Sequence, residues 1–491
     1  LKLVNFQRKH SHFLFNLLGY FSSCPPGVTI AKQLWSNGKR EKECEVVRIR
    51  KSLSIFSSLL AASLVLTALP AQAADQGITS SEIVFGMQLP QTGPASPGYN
   101  KVDDAIRAYF DYVNSKGGVN GRDLRLVAED DTYSPGVTIS TLSKLINEDK
   151  VFGMIGNVGT QTHLAVIDRI NRDAIPDLFT LSGYSNFYNN PKKYPTTFGG
   201  LGTYVAESKI VGEYVKKTFP GKKVGILYQT DDFGRTCLAG FNAVGLTFEK
   251  GKTAANFIAG TQGSIGLASQ LTQLKANGVE VVLFAAVASA FAVAVSTANA
   301  IGYVPANWVV TSVGADATTF QTILGARGVP AATSAALLNG VITASFAPAP
   351  TDAADPYVTA FKKINDEFNK GPDKRWDNNI LIGMNSAYLL VQALNGAGEN
   401  VTRKSLISYL ETNGKKMSGA AFAPLGYSKS SHEGYVGYWI GKYDTQTNIT
   451  PVDGKRVVYT TDSAKGAVKV LSEKTFKRAS VPADTIAKGV K

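Results

Sequence analysis

The octapeptide GNVGTQTH, residues 156–163, is the stretch best suited to hold a small molecule. It follows a short apolar run and opens a helical pattern. Gly159 lets the backbone approach a ligand closely, Thr160 and Thr162 offer hydroxyls, and the first turn of a helix offers unpaired N–H groups. A carboxylate at such a place gains roughly 0.3–1 kcal/mol from the helix dipole, more when partly buried. The same residues also read as a glycine turn with a threonine N-cap, and the local pattern alone leaves both readings open.

Catalytic material is sparse. Beyond residue 73 only His163 and His432 remain, far apart in sequence, with the single thiol of Cys237. HExxH, GxSxG, CxxC and an EF-hand loop are absent from the sequence, and GNVGTQTH lacks the Lys-Ser/Thr ending of a phosphate-binding loop. Metal catalysis and histidine-assisted nucleophilic catalysis are disfavoured, and neither a metal nor a cofactor is expected. Cys237 reads as a buried small hydrophobe.

Residues 48–76, RIRKSLSIFSSLLAASLVLTALPAQAADQ, have the order of an export signal. A positive start is followed by an apolar run from Leu53 to Leu69 and by Ala71 and Ala73 at small-residue positions. Cleavage before Ala74 is the natural expectation. The run is about 17 residues and serine-softened, marginal for a bilayer span. Val47 is a workable start, so 47–73 reads as the signal peptide. Residues 1–46 read as an over-extended frame or an extended leader. The chain as a whole has 51 Lys/Arg against 38 Asp/Glu, a net +13. Residues 1–73 hold ten basic and three acidic residues, so their removal leaves +6. That mild excess suits a small anionic ligand, and no basic cluster interleaved with aromatics suggests nucleic acid.

The remaining 418 residues alternate short β-branched runs with helical patterns. SEIVFGMQL, RDLRLVAEDD and VFGMIGN read as strands between helices starting near 100, 136 and 161. The rhythm restarts near 203, with strands in KKVGILYQT, GVEVVLFAAV and NWVVTSV. A third segment, 343–433, is helix-rich, and GYVGYWIGKY alternates like a strand. The expected class is α/β, with tandem units whose strand carboxyl ends face a cleft.

IVFGMQLPQTGPAS, AYFDYVNSKGGVNGRDLRLVAEDD, FGMIGNVGTQTHLAV and VGILYQTDDFGRTCLAGF resemble, in order and spacing, the type I periplasmic solute-binding proteins of the branched-chain amino acid class, which serve ATP-binding-cassette (ABC) importers. The resemblance covers about 78–445. It implies two Rossmann-like lobes joined by a multi-strand hinge: lobe 1 at 77–201 plus 344–433, lobe 2 at 202–343 plus 434–475, with 476–491 a peripheral tail. The returning segment is expected to complete the first sheet.

The resemblance also implies a site. The ligand carboxylate is expected at Gly159, Thr160 and Thr162, with Ser182, Gly183 and Tyr184 of TLSGYS as a second contacting stretch. Tyr99 matches a pocket tyrosine and Phe233 of DDFG an aromatic that stacks on the ligand; apart from the resemblance, Asn378 and Asn379 read as exposed polar residues near the crossover. The departure is in VVTSVGADAT. Relatives place an ammonium-pairing carboxylate near Val313, whereas here Asp316 stands three residues later. Burying an ammonium without an anion is costly. Either Asp316 turns in or the ligand lacks an amine, as in an aromatic acid. The implied partners are an inner-membrane permease and ATPase, with the protein a periplasmic monomer. A sensory module for a membrane receptor is the alternative, and an amide hydrolase on the same fold is the least supported.

Overall fold

The computed structural model describes residues 75–478 apart from 262–265, 418, 473 and 475, together with Trp35–Ser36 and Lys39–Arg40, which pair antiparallel. The expected signal segment and its cleavage point lie outside the described residues.

The first sheet is built from β1 (Glu82–Leu89), β2 (Asp123–Asp130), β3 (Gly153–Ile155), β4 (Asp177–Thr180) and β5 (Thr197–Gly199). Its order is β2-β1-β3-β4-β5, parallel throughout. β1 is buried over all but its first residue, as expected of a parallel strand covered on both faces. Helix α1 (Val102–Asn114) turns Val102, Ile106, Tyr109 and Val113 inward, the stripe that its 3.6-residue period marks out.

The second sheet takes β6 (Val224–Gln229), β7 (Ala254–Phe257), β8 (Val281–Ala285), β9 (Asn307–Val310) and β10 (Ile342–Ser345) in the parallel order β7-β6-β8-β9-β10. β11 (Gly437–Tyr443) then adds antiparallel to β10, pairing Ile342 with Lys442 and Ser345 with Trp439. Short strands β12 (Ile449–Pro451), β13 (Val458–Thr460) and β14 (Lys469–Val470) extend that antiparallel edge.

Between β10 and β11 the chain returns to the first sheet and brings helices to it. Pro356–Phe368 and Asn378–Ala397 cover α1. Tyr109 meets Phe361 and Tyr388 edge-on at 6.1 Å each. The excursion lays helices on a face of the sheet, and near its end His432 O accepts from Gly199 N at the β5 edge.

Three chain segments cross between the sheets, around Leu201, Phe346 and Tyr435. They are fastened to one another: Tyr435 N donates to Leu201 O, Phe422 N donates to Phe346 O, and the Phe346 and Tyr435 rings stack at 4.7 Å. The chain is therefore an α/β protein of two lobes on a multi-strand hinge. The only tail residues described are 476–478, where Arg478 pairs with Asp355 and lies over Phe422 and Tyr357.

Candidate ligand site between the lobes

The pairing of β3 with β4 continues past their ends as a bridge from Val158 to Leu181. That register brings the next residues of both strands together. Thr160 Oγ1 lies 2.8 Å from Ser182 Oγ, and both are buried. Tyr204 of the second lobe completes the group: its hydroxyl is 3.4 Å from Thr160 Oγ1, and its amide donates to Gly183 O. A side chain at 183 would drive its Cβ to 2.5 Å from the Tyr204 ring, so glycine is required for this approach. Burial pushes the Tyr204 hydroxyl up to about 12, against hydrogen bonds from Thr160, Gly183 and Ser182 that lower it.

The helix that GNVGTQTH opens is shorter than the sequence suggests. It runs only from Thr160 to Leu164, and a second begins at Ile167 after Val166 leaves helical geometry at φ −124°. Five residues align few peptide dipoles, so hydroxyls and backbone access carry this site more than a macrodipole does. Gly159 sits at φ +110°. Thr162 Oγ1 donates to Val158 O and steadies the turn.

The other expected residues fall into two places. Phe233 is buried in the first turn of the helix Asp232–Ala243, 4.4 Å from the Tyr204 ring. Asp231 caps that helix through Gly234 N and also accepts from Gln229 Nε2. Farther along the cleft, Tyr99 Oη donates to Val313 O at 3.4 Å, from one lobe to the other. Gly98 abuts Thr319 Oγ1 and Asn379 Nδ2, so Asn379 is half-buried at the lobe contact and not exposed. Asn378 is half-buried as well. Tyr184 packs edge-on against Phe187 at 5.0 Å and its hydroxyl accepts from Asn186, apart from the hydroxyl group at Thr160.

Asp316 is buried and committed. Its Oδ1 accepts from Thr319 N at 2.6 Å, capping the helix Ala317–Ala326. Glu207, on the same helix as Tyr204, accepts from Ser312 N at 2.5 Å and Ser312 Oγ at 2.8 Å. Burial raises it to about 7 even against those two bonds.

Sequence reasoning missed Tyr133, Tyr204, Gln229, Asp231 and Glu207. Tyr133 stands just past the carboxyl end of β2, the position where α/β sheets gather ligands, and that was an available signal. Its ring lies against Gly159 and its hydroxyl interacts with Gln229 of the other lobe. Burial pushes it well above the usual tyrosine range, with Asp231, Tyr204 and Tyr99 adding to the effect.

The histidines serve packing. His163 Nε2 lies 2.9 Å from Asp177 Oδ2, and its ring meets Phe187 at 5.0 Å. His432 stacks on Phe198 at 3.8 Å. Cys237 is buried, and desolvation pushes its thiol well up.

The family model for the periplasmic binding proteins matches residues 82–448. A Leu/Ile/Val-binding protein homolog 3 from Brucella melitensis is 24% identical over 213 residues, covering 42% of this chain and 54% of that protein. The chain thus spans about half the length of the curated relatives it matches. A branched-chain amino acid ABC transporter protein of Thermus thermophilus with bound valine superposes with a TM-score of 0.67 at 18% identity, over 79% of this chain and 98% of that one. A fatty acid ABC transporter substrate-binding protein from Thermomonospora curvata gives 0.65 at 20% identity, over 80% and 96%. The superpositions show a shared fold, and with its match over residues 82–448 the chain belongs to the periplasmic binding protein family.

Proposed function

We propose that the chain is the periplasmic substrate-binding component of an ABC uptake system. It captures a small carboxylate between its lobes, at 77–201 plus 344–433 and 202–343 plus 434–475, and delivers it as a monomer to an inner-membrane permease and ATPase. The observation that carries this reading is the buried hydroxyl cluster of Thr160, Ser182 and Tyr204. It is drawn from both lobes and flanked by two glycines that admit close backbone contact. Such a cluster donates well to a carboxylate whose own water has been removed.

The rest of the ligand meets a different surface. The β8 end, with Ala285, Ala286 and Val287, is buried and apolar. The lobe 2 carboxylates in this region, Asp231, Asp316 and Glu207, already accept from protein donors. This favours an acid with an apolar or aromatic body and no amine over a branched-chain amino acid. Thermal-shift and calorimetric titration with leucine, valine, benzoate and phenylacetate tests both levels. A bound acid at 100 times its dissociation constant adds about 2.7 kcal/mol of apparent stability. Tight leucine binding that is lost in Asp316→Ala would overturn the no-amine ligand. Silence with every acid would overturn carboxylate capture.

A further inference from the structure

The turn after β2 holds two successive residues in the left-handed region, Thr132 at φ 51° and Tyr133 at φ 59°. Neither is glycine, and a β-branched residue in that region is uncommon. The turn is clamped from both sides. Asp130 Oδ1 accepts from Gln91 N, Thr92 N and Thr132 N, while its Oδ2 accepts from Thr92 Oγ1. Asp131 Oδ1 accepts from Tyr133 N, and its Oδ2 from Thr138 Oγ1. Backbone strain held by so many bonds is a pointer to function.

Its product is the placement of one ring. A Cβ added to Gly159 would stand 2.7 Å from Tyr133 Cε2 and 3.4 Å from Cδ2, so one edge of the ring lies against the glycine that opens the hydroxyl cluster. Its hydroxyl hydrogen-bonds with Gln229, and the ring is half-buried. We propose that Tyr133 is a specificity-determining residue of the cleft: its ring is the wall over Gly159 that fixes how bulky an acid the Thr160–Ser182 hydroxyls can receive. Asp130 and Asp131 are the positioning residues that set the wall. This rests on the solute-binding reading above.

The test uses the full secreted chain and its Tyr133→Ala, Tyr133→Phe and Tyr133→Asn variants, titrated with leucine, benzoate and 1-naphthoate. Asn tolerates the left-handed turn, so that variant removes the ring while keeping the backbone if Ala fails to fold. The expected result is that Ala or Asn improves 1-naphthoate affinity relative to the smaller acids at least ten-fold, while Phe keeps the wild-type order. An unchanged relative affinity in both truncated variants, or the same relaxation in Phe, overturns the inference and leaves solute binding intact. Absence of binding by any acid in every form overturns both.

Discussion

Thr160 Oγ1 and Ser182 Oγ stand 2.8 Å apart at the ends of two neighbouring parallel strands. Twenty-two residues separate them in sequence, and only the β3–β4 register brings them together. Both are buried, and Tyr204 reaches Thr160 from the other lobe. The pair is thus built by the first lobe alone, and the second lobe adds the Tyr204 hydroxyl as a third member.

Replacing Thr160 by Val keeps the shape and removes the hydroxyl. A ligand carboxylate that loses this donor in a dry site should bind about 1–3 kcal/mol more weakly, on the order of 5- to 150-fold. Thr160→Ser should retain most of the affinity. Isothermal titration with whichever acid of the panel binds best decides it. Equal affinity in Thr160→Val would place the carboxylate elsewhere.

Glu207 gives a prediction with a definite sign. Its folded value is raised by burial to about 7. The folded state thus holds its proton more tightly than the unfolded state does. That contribution to stability is fully present below the unfolded value near 4.5 and is lost as pH rises through about 7. Glu207→Gln cannot ionise, so it should be more stable than wild type at pH 8, by about 1–3 kcal/mol. The advantage should fade towards pH 4.5. Urea unfolding at the two pH values measures it, and an advantage independent of pH would refute the assignment.

Much of this architecture is legible in the sequence. Strands such as VVLFA are apolar throughout because helices cover both faces of the sheet, and glycine–proline punctuation separates them. Gly159, Thr160, Ser182 and Phe233 can be found because they follow strand ends, where the fold must gather a ligand. Tyr133 also follows a strand end, but the aim of its ring, like the place of Tyr204, is not legible from that alone. Their roles depend on a strained turn, tied through Asp130 to Gln91 and Thr92 at separations of 39 and 38 residues, and on how the crossover near Leu201 seats a helix. The role of Asp316 stays open in the sequence for a related reason: a carboxylate three residues before a backbone N–H can serve as a cap or face a ligand, and in the fold its Oδ1 caps Thr319 N. The break in the helix after Leu164 follows from Val166, a residue well suited to a helix interior by apolar period alone.

Lys101 is a charged residue in an ordinary helical stretch, yet it is 2% exposed. Its ammonium pairs with Asp377 and lies 3.6 Å from Asp373. Asp377 in turn caps the helix Asn378–Ala397 through Asn379 N and Ile380 N. Burial and the nearby Asp316 both raise Asp377, and Lys101 opposes them. Lys101→Met should therefore cost about 3–5 kcal/mol at pH 8, since it strands a buried carboxylate. Adding Asp377→Asn should recover part of that loss. A double-mutant cycle in urea reads the coupling, and additive losses would show that the pair is not the unit of stability.

His432 runs opposite to Glu207. It is fully buried, stacked on Phe198, with Nδ1 3.1 Å from Thr197 O. Burial lowers it from 6.5 to about 4, outweighing that hydrogen bond. The unfolded chain therefore takes up a proton that the folded state refuses. The stability this depression supplies is present above pH 6.5 and lost as pH falls towards 4, by at most about 3 kcal/mol. His432→Gln removes the titration together with the stacking, so it should be less stable than wild type at pH 7. Its deficit should narrow by pH 4.5, because only the wild type loses the histidine contribution on acidification. Guanidinium unfolding of both proteins at the two pH values is the measurement, and a constant deficit would show that His432 protonates alike in both states.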